Sequence, residues 1–316
     1  MATEKNITMK QFNGTDYDTL YPKTIASQVD GLFQILVTTF PNTEVTASLN
    51  GKTVSAMSDS SGLAILKIPS YYGTWTVSGT VGGIFVSTDC EIKAAAQYEL
   101  ALAPDLETLS WDDISSYSES GVASLMWNVG DKKTVAIDGE NYQAQIIGFN
   151  HDDKTSGGKA GITFQLVDCF DREYQMNETS INSGGWTSCR IRTSIMATLL
   201  TKLPSELQNV IKAVNKLTSA GNQSATINTT SDKLFLLSEV EIFGSVTQSK
   251  SGEGSQYDYY KAGNSKVKKV MGSASSWWER SPRGSDSTDF CLVGSKGNAT
   301  KYGASGPFGV SFAFCV

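Results

Sequence analysis

The chain has 316 residues, long enough for two or three domains, and its 26 basic against 32 acidic residues give a net charge of −6. A nucleic-acid partner is not expected, because no basic excess advertises a phosphate-binding face. Only 18% of residues are charged while 39 are Ser and 30 are Thr, a balance that favours β-structure and polar loops over helical bundles.

The opening Met1-Ala2-Thr3-Glu4-Lys5-Asn6 lacks the apolar stretch of a secretory signal, and no window reaches the ~18 apolar residues of a membrane span. Synthesis in the cytosol without membrane insertion is therefore expected. Residues 1–30 mix polar and aromatic side chains without a period and read as an arm that orders on a partner. From Phe33 to Ala103 the signal is β. Phe33-Gln34-Ile35-Leu36-Val37-Thr38 is a β-branched run, Val45, Ala47 and Leu49 alternate up to an Asn50-Gly51 turn, and Asp59-Ser60-Ser61-Gly62 marks a second turn. About seven short strands at this spacing predict a β-sandwich over residues 31–104.

Ala103-Pro104-Asp105 marks the next boundary. Ser110 is placed to cap a short helix through the amide of Asp113, and Asp112 and Asp113 read as helix-end charges rather than an acid and base couple. Strands are expected around Thr134–Ile137 and Tyr142–Ile147, joined through Asp138-Gly139, and again over Gly161–Val167. Two helices follow near residues 188–217: Ile191, Ile195, Leu199 and Leu203 repeat behind Thr187 and Ser188, then Leu207, Val210, Ile211, Val214 and Leu217 form a stripe behind a capping-box pattern of Ser205 and Gln208. Pro204 separates them. Leu234–Val240 reads as a buried strand or strand-to-helix entry, 244–276 as a long polar loop with Tyr257, Tyr259 and Tyr260, and Gly309–Val316 as a central strand.

Most catalytic chemistry has no support in the sequence. The single histidine, His151, excludes multi-histidine metal sites, sits in a polar loop, and is expected to be hydrogen-bonded there rather than catalytic. Neither a nucleophile elbow nor a nucleotide-binding glycine motif is present. Asp152 and Asp153 are the residues that could take calcium, although adjacent loop acids are usually solvated. Cys90, Cys169, Cys189, Cys291 and Cys315 are widely spaced and predict buried free thiols, with Cys291 and Cys315 as possible neighbours in one sheet. No cofactor or metal is expected, and the chain is read as a non-enzyme.

A set of words from Ser110 onward carries a resemblance: Gly148-Phe149-Asn150-His151-Asp152, Gly184-Gly185-Trp186, Leu236-Leu237-Ser238-Glu239-Val240, Trp277-Trp278-x-Arg280-Ser281-Pro282, Phe290-Cys291-x-Val293 and Gly309-Val310-x-x-Ala313-Phe314. In order and spacing they are similar to the C-type-lectin-fold domain related to formylglycine-generating enzymes. The sandwich resembles immunoglobulin-like spacer modules through Gly62-Leu63-Ala64 and Tyr72-Gly73-Thr74-Trp75-Thr76-Val77. The leader from Lys10 to Thr24 is similar to the opening of phage tail structural proteins.

These resemblances imply a mainly β protein with an immunoglobulin-like β-sandwich followed by an α+β, C-type-lectin-like domain at 105–316. They imply a phage tail fibre or tip protein, made in the bacterial cytoplasm, incorporated in the virion and homotrimeric, with residues 1–30 attached to other tail proteins. Some relatives of this fold are variable proteins of diversity-generating retroelements, which keep a Trp-Trp-x-Arg-Ser framework and vary the loops between framework positions. Arg283, Asp286, Thr288, Asp289, Lys296, Asn298, Thr300 and Tyr302 are accordingly the candidate ligand-binding residues, directed at a bacterial surface protein or glycan. Trp277 and Trp278 are expected in the core or at its rim, and Arg280 paired with a buried carboxylate or carbonyl. The alternatives are an oxidase relative of the formylglycine-generating type, acting through C-terminal cysteines, and a bacterial surface adhesin.

Overall fold

A computed structural model describes residues 9–12, 17–20, 33–69 and 71–316. The chain divides into two compact units, Met1–Pro104 and Asp105–Val316. It is mainly β, with 40% of residues in strands against 16% in helices, and no helix among the described residues is long and apolar enough to cross a membrane.

In the first unit β1 (Met9–Phe12) pairs with β2 (Tyr17–Leu20); the remainder of the 1–30 arm lies outside the described residues. Seven strands follow: β3 (Gln34–Thr38), β4 (Glu44–Leu49), β5 (Lys52–Met57), β6 (Leu63–Lys67), β7 (Gly73–Val81), β8 (Ile84–Ile92) and β9 (Gln97–Ala101). They form two sheets, ordered β6-β3-β9 and β5-β4-β7-β8. The two-residue period puts Ile35 and Val37 of β3, Val45 and Ala47 of β4, and Trp75 and Val77 of β7 in the core, all fully buried. Asn50 and Gly51 both adopt positive φ, +48° and +75°, between the paired Leu49 and Lys52, as a two-residue hairpin turn requires.

The second unit opens with α1 (Trp111–Glu119), where Ser110 Oγ accepts the Asp113 amide at 3.1 Å, and α2 (Ala123–Met126). Then come β10 (Lys132–Ile137), β11 (Glu140–Phe149), β12 (Ile162–Leu166), β13 (Tyr174–Gln175), α3 (Gly185–Ser188), a π-helical stretch over Ile191–Met196, α4 (Ala197–Lys202) and α5 (Ser205–Val210). Next are β14 (Val214–Ser219), β15 (Ile227–Asp232), β16 (Leu234–Phe235), α6 (Glu239–Phe243), α7 (Asp258–Lys261), β17 (Lys268–Val270) and β18 (Ser273–Ser275). The chain ends with β19 (Trp277–Pro282), β20 (Asp289–Val293), β21 (Ala299–Gly303), β22 (Pro307–Phe308) and β23 (Ala313–Cys315). A five-stranded sheet, β10-β11-β12-β23-β16, places the last strand of the chain between β16 and β12, the latter formed more than 100 residues earlier. On it Trp111 meets Phe164 and Phe314 edge to face at 5.5 and 5.8 Å. A second, three-stranded meander is ordered β19-β20-β21.

Four sequence expectations are corrected. The stripe from Leu207 to Leu217 is not one helix: α5 stops at Val210, and Val214–Ser219 is a strand paired with β15. Alternation wins there because Val214, Lys216 and Thr218 point inward while Leu217 is 37% exposed. Ser205 is not a cap; Pro204 holds that position, and Gln208 Nε2 donates to the carbonyl of Leu203 at 2.7 Å. The other expected helix begins not with Thr187 or Ser188 as caps, since both lie inside α3, but at Arg190, which leads into the π-helical stretch. The 244–276 segment contains α7 and the β17-β18 hairpin, and Tyr257 and Tyr260 are core residues.

Candidate ligand-binding face

Beneath the C-terminal meander lies a buried ionic cluster. Glu241, at the third position of α6, makes a capping box with Ser238, so its carboxylate position is fixed by the helix start. That carboxylate accepts Arg280 Nη2 at 2.8 Å and pairs with Arg280 Nη1 as well, while Lys216 Nζ donates to it at 2.8 Å and to Asp152 Oδ1 at 2.7 Å. Arg280 also donates to the carbonyls of Leu217, Leu236 and Glu253. Burial alone would raise the carboxyls of Asp152 and Glu241; Lys216 for the first, and Arg280 with Lys216 for the second, outweigh it and hold both below the usual carboxylate range. Tyr257 donates to Asp152 at 2.8 Å and Thr163 donates at 2.7 Å, so this carboxylate is fully engaged and the calcium reading of Asp152 is set aside. Asp153 pairs instead with Lys159 at 2.8 Å. His151 stacks on Tyr257 with ring centres 3.9 Å apart, and burial holds its imidazole below the ordinary value.

Three more glutamates surround this cluster. Glu239 accepts the amides of Thr247, Gln248 and Ser249, tying down a segment whose Gln248 carbonyl accepts the amide of Gly284. Glu253 accepts the Ser219 amide at 2.8 Å and the Ser281 hydroxyl, and burial pushes its carboxyl up to about 7. Glu279 is fully buried with no hydrogen-bond partner on either carboxylate oxygen, and burial, reinforced by Glu239 and Glu253, raises it well above the usual range. Its surroundings therefore favour the protonated form.

Onto this base the meander carries the eight candidate residues in three groups. At the β19-β20 turn Arg283 pairs with Asp286 at 2.7 Å and approaches Asp289 at 3.7 Å, and Lys301 closes the group on Asp289 at 2.9 Å. Asp286 further accepts the amides of Thr288 and Asp289, and Thr288 Oγ1 donates to Asp289 Oδ1 at 2.9 Å. Lys296 and Asn298 lie at the opposite turn, between Val293 and its partner Ala299. With Phe290 paired to Tyr302 and Val293 to Ala299, the two ends stand roughly 10–14 Å apart at ~3.4 Å per residue. Thr300 and Tyr302 share one face of the edge strand β21, and Tyr302 is 55% exposed. Tyr302 rests edge-on against Phe308 at 5.0 Å and Phe308 against Trp278 at 5.2 Å, an aromatic path from surface to core. Trp277 and Trp278 are both fully buried.

Sequence reasoning missed Asn182. It is fully buried, donates to the carbonyls of Asp286 and Asp289 at 3.1 and 2.8 Å, and accepts the amide of Asn222 at 2.7 Å, so one side chain clamps the 284–289 turn. Gly221 is required beside it: its φ is +70°, and a Cβ there would stand 1.8 Å from the Asn182 carbonyl oxygen. The signal available in the sequence was the Asn-Ser-Gly-Gly turn at 182–185, which says nothing of a partner 100 residues away. Cys291 and Cys315 do not meet in one sheet: they lie in β20 and β23, and all five thiols are buried and free. Among the described residues no group of three or more His, Cys, Asp or Glu side chains is placed to hold a metal ion.

The larger part of this second unit matches a recognised family. Residues 159–316, half of the chain, match the family described as a domain of unknown function (DUF6273), and the chain belongs to it. No curated protein and no solved structure matches the chain.

Proposed function

We propose that the protein is a receptor-binding component of a phage tail, in which a C-type-lectin-like domain at 105–316 recognises a protein or glycan on a bacterial surface through loops 283–302. An immunoglobulin-like spacer at 31–104 carries that domain, and residues 1–30 attach it to other tail proteins in a homotrimer located in the virion. The observation that carries this reading is the separation of roles in the meander. Trp277, Trp278, Arg280 and Phe290 are buried and engaged with the core, whereas the side chains of Arg283, Asp286, Thr288 and Asp289 contact one another. Such loops accept substitution without disturbing the fold, which is what a recognition surface diversified by a retroelement demands. The pairing of the final strand with β12 and the separate three-stranded meander favour the lectin-like assignment.

The enzyme reading, an oxidase relative of the formylglycine-generating type, requires an accessible thiolate. Cys291 and Cys315 are 1% and 0% exposed, and burial drives both thiols well above their ordinary pKa. The test uses the labelled full chain on bacterial cells, with infection by the corresponding phage as a second readout. Saturable binding that blocks plaque formation is expected, and the Cys291→Ser and Cys315→Ser proteins should bind as well as the parent. Absence of saturable binding to any host strain, or oxidation of a peptide cysteine that disappears in the serine variants, would overturn the reading. Light scattering should give three chains per particle, and a monomer at micromolar concentration removes the trimer.

A further inference from the structure

We propose that the cavity between the 170–174 loop and the π-helical stretch with α4 is a binding site for one anionic hexose unit, a sugar ring bearing a carboxylate or a phosphate. The cavity has a volume of about 260 Å³, below the ~300–1,000 Å³ of sites for drug-sized ligands and suited to a single ring. Ile195, Thr198, Leu199 and Lys202 recur at helical spacing along its wall, and Phe170, Arg172 and Tyr174 face them from the loop. Arg190, which leads into the π-helical stretch, completes the rim.

Two independent features point to a ligand. The first is charge: in a chain of net charge −6, Arg172, Arg190 and Lys202 converge on one cavity whose lining holds a single carboxylate, Asp138. Asp138 pairs with Lys202, and Glu178 stands 3.9 Å from Arg190. The Arg172 side chain makes no hydrogen bond or ion pair among the described residues. Its acidic neighbours are engaged elsewhere, Asp171 by the Met271 amide and Glu173 by the Ser275 hydroxyl. A tight turn, with the Arg172 amide donating to the Phe170 carbonyl at 2.6 Å, fixes where that guanidinium leaves the backbone. Arginine presents a planar fork that suits carboxylate and phosphate oxygens.

The second feature is the wall itself. Phe170 and Tyr174, which both line the cavity, stack at 6.5 Å, Tyr142 stacks behind Phe170 at 5.4 Å, and the backbone pairing of Tyr174 with Phe308 fixes the segment that carries the last ring. Flat aromatic faces pack against the C–H face of a pyranose, which an inorganic anion does not offer. The adjoining six-residue π-helical stretch is the kind of irregularity that recurs at functional sites.

The test is titration of the full chain with glucuronate, glucose 6-phosphate and glucose, followed by NMR shifts, for the parent and for Arg172→Ala. This cavity is distinct from loops 283–302, and no cells are involved, so the result does not depend on the receptor-binding reading. At least one anionic sugar should bind about tenfold or more tightly than glucose, and Arg172→Ala should remove that preference; which of the two wins identifies the anion as carboxylate or phosphate. Glucose binding as tightly as both anions, no saturation by any of the three below about 20 mM, or unchanged affinity in Arg172→Ala would overturn the proposal.

Discussion

Arg280, Glu241, Lys216 and Asp152 form a chain of alternating charge that is withdrawn from water, and its stability depends on every member being present. Removing one charge leaves its partners buried and uncompensated, which typically costs about 3–5 kcal/mol. Glu241→Gln should therefore lower unfolding free energy by about that amount in urea, and a loss under about 1 kcal/mol would show the cluster to be peripheral. The pH response has two arms. Asp152 and Glu241 have depressed carboxyls, so their contribution is present above the unfolded carboxylate range of about 4 and declines as pH falls below it. Glu253 and Glu279 are raised, so the folded state binds more protons than the unfolded chain: the contribution of Glu253 declines as pH climbs from about 4 through about 7, and that of Glu279 declines in the same direction. Glu279→Gln, which needs no proton to stay neutral, should flatten that upper decline and raise stability at pH 8 by roughly 1–3 kcal/mol. Melting temperature against pH for both proteins checks this, and parallel curves would contradict it. That Arg280 would find a buried partner was legible from its place in an aromatic framework. Which partner was not, because Glu241 lies 39 residues away.

Elements with strong local signals follow the sequence closely. Both hairpin turns with a following glycine form where expected, Asn50-Gly51 and Asp138-Gly139, each with positive φ at both residues. The failure is instructive: apolar residues at 207, 210, 211, 214 and 217 fit a helical period, yet β14 buries Lys216 and exposes Leu217. A pattern reader places leucine inside and lysine outside, and here the lysine goes in because Asp152 and Glu241 await it. The two assignments differ in a measurable way. Leu217→Ala should cost under about 1 kcal/mol on a half-exposed strand face, against the ~2–5 kcal/mol of a core leucine. Urea unfolding of this single variant distinguishes them, and a loss above ~2 kcal/mol would return Leu217 to the core.

At the scale of the molecule, the two-sheet first unit was legible because alternation and turn residues repeat every few positions. The second unit was legible in its last strand, since the apolar Gly309–Val316 run is buried, although only Ala313–Cys315 of it forms β23, and less so in the clamp by Asn182 or the tie from Glu239 to the 247–249 segment. Those contacts join residues far apart in sequence and leave no local period. The central claim concerns residues 283–308, in which Phe290, Cys291 and Val293 are buried while Arg283, Asp286, Thr288 and Asp289 contact one another in the turn above them. Exchanging this block between two members of the family, then measuring bacterial cell binding and thermal unfolding together, tests it most directly. The account predicts that binding preference travels with the block while the melting temperature moves by only a few degrees, less than about 1 kcal/mol for a unit of this size. Preference that stays with the rest of the chain, in proteins that unfold at the parental temperature, would contradict it.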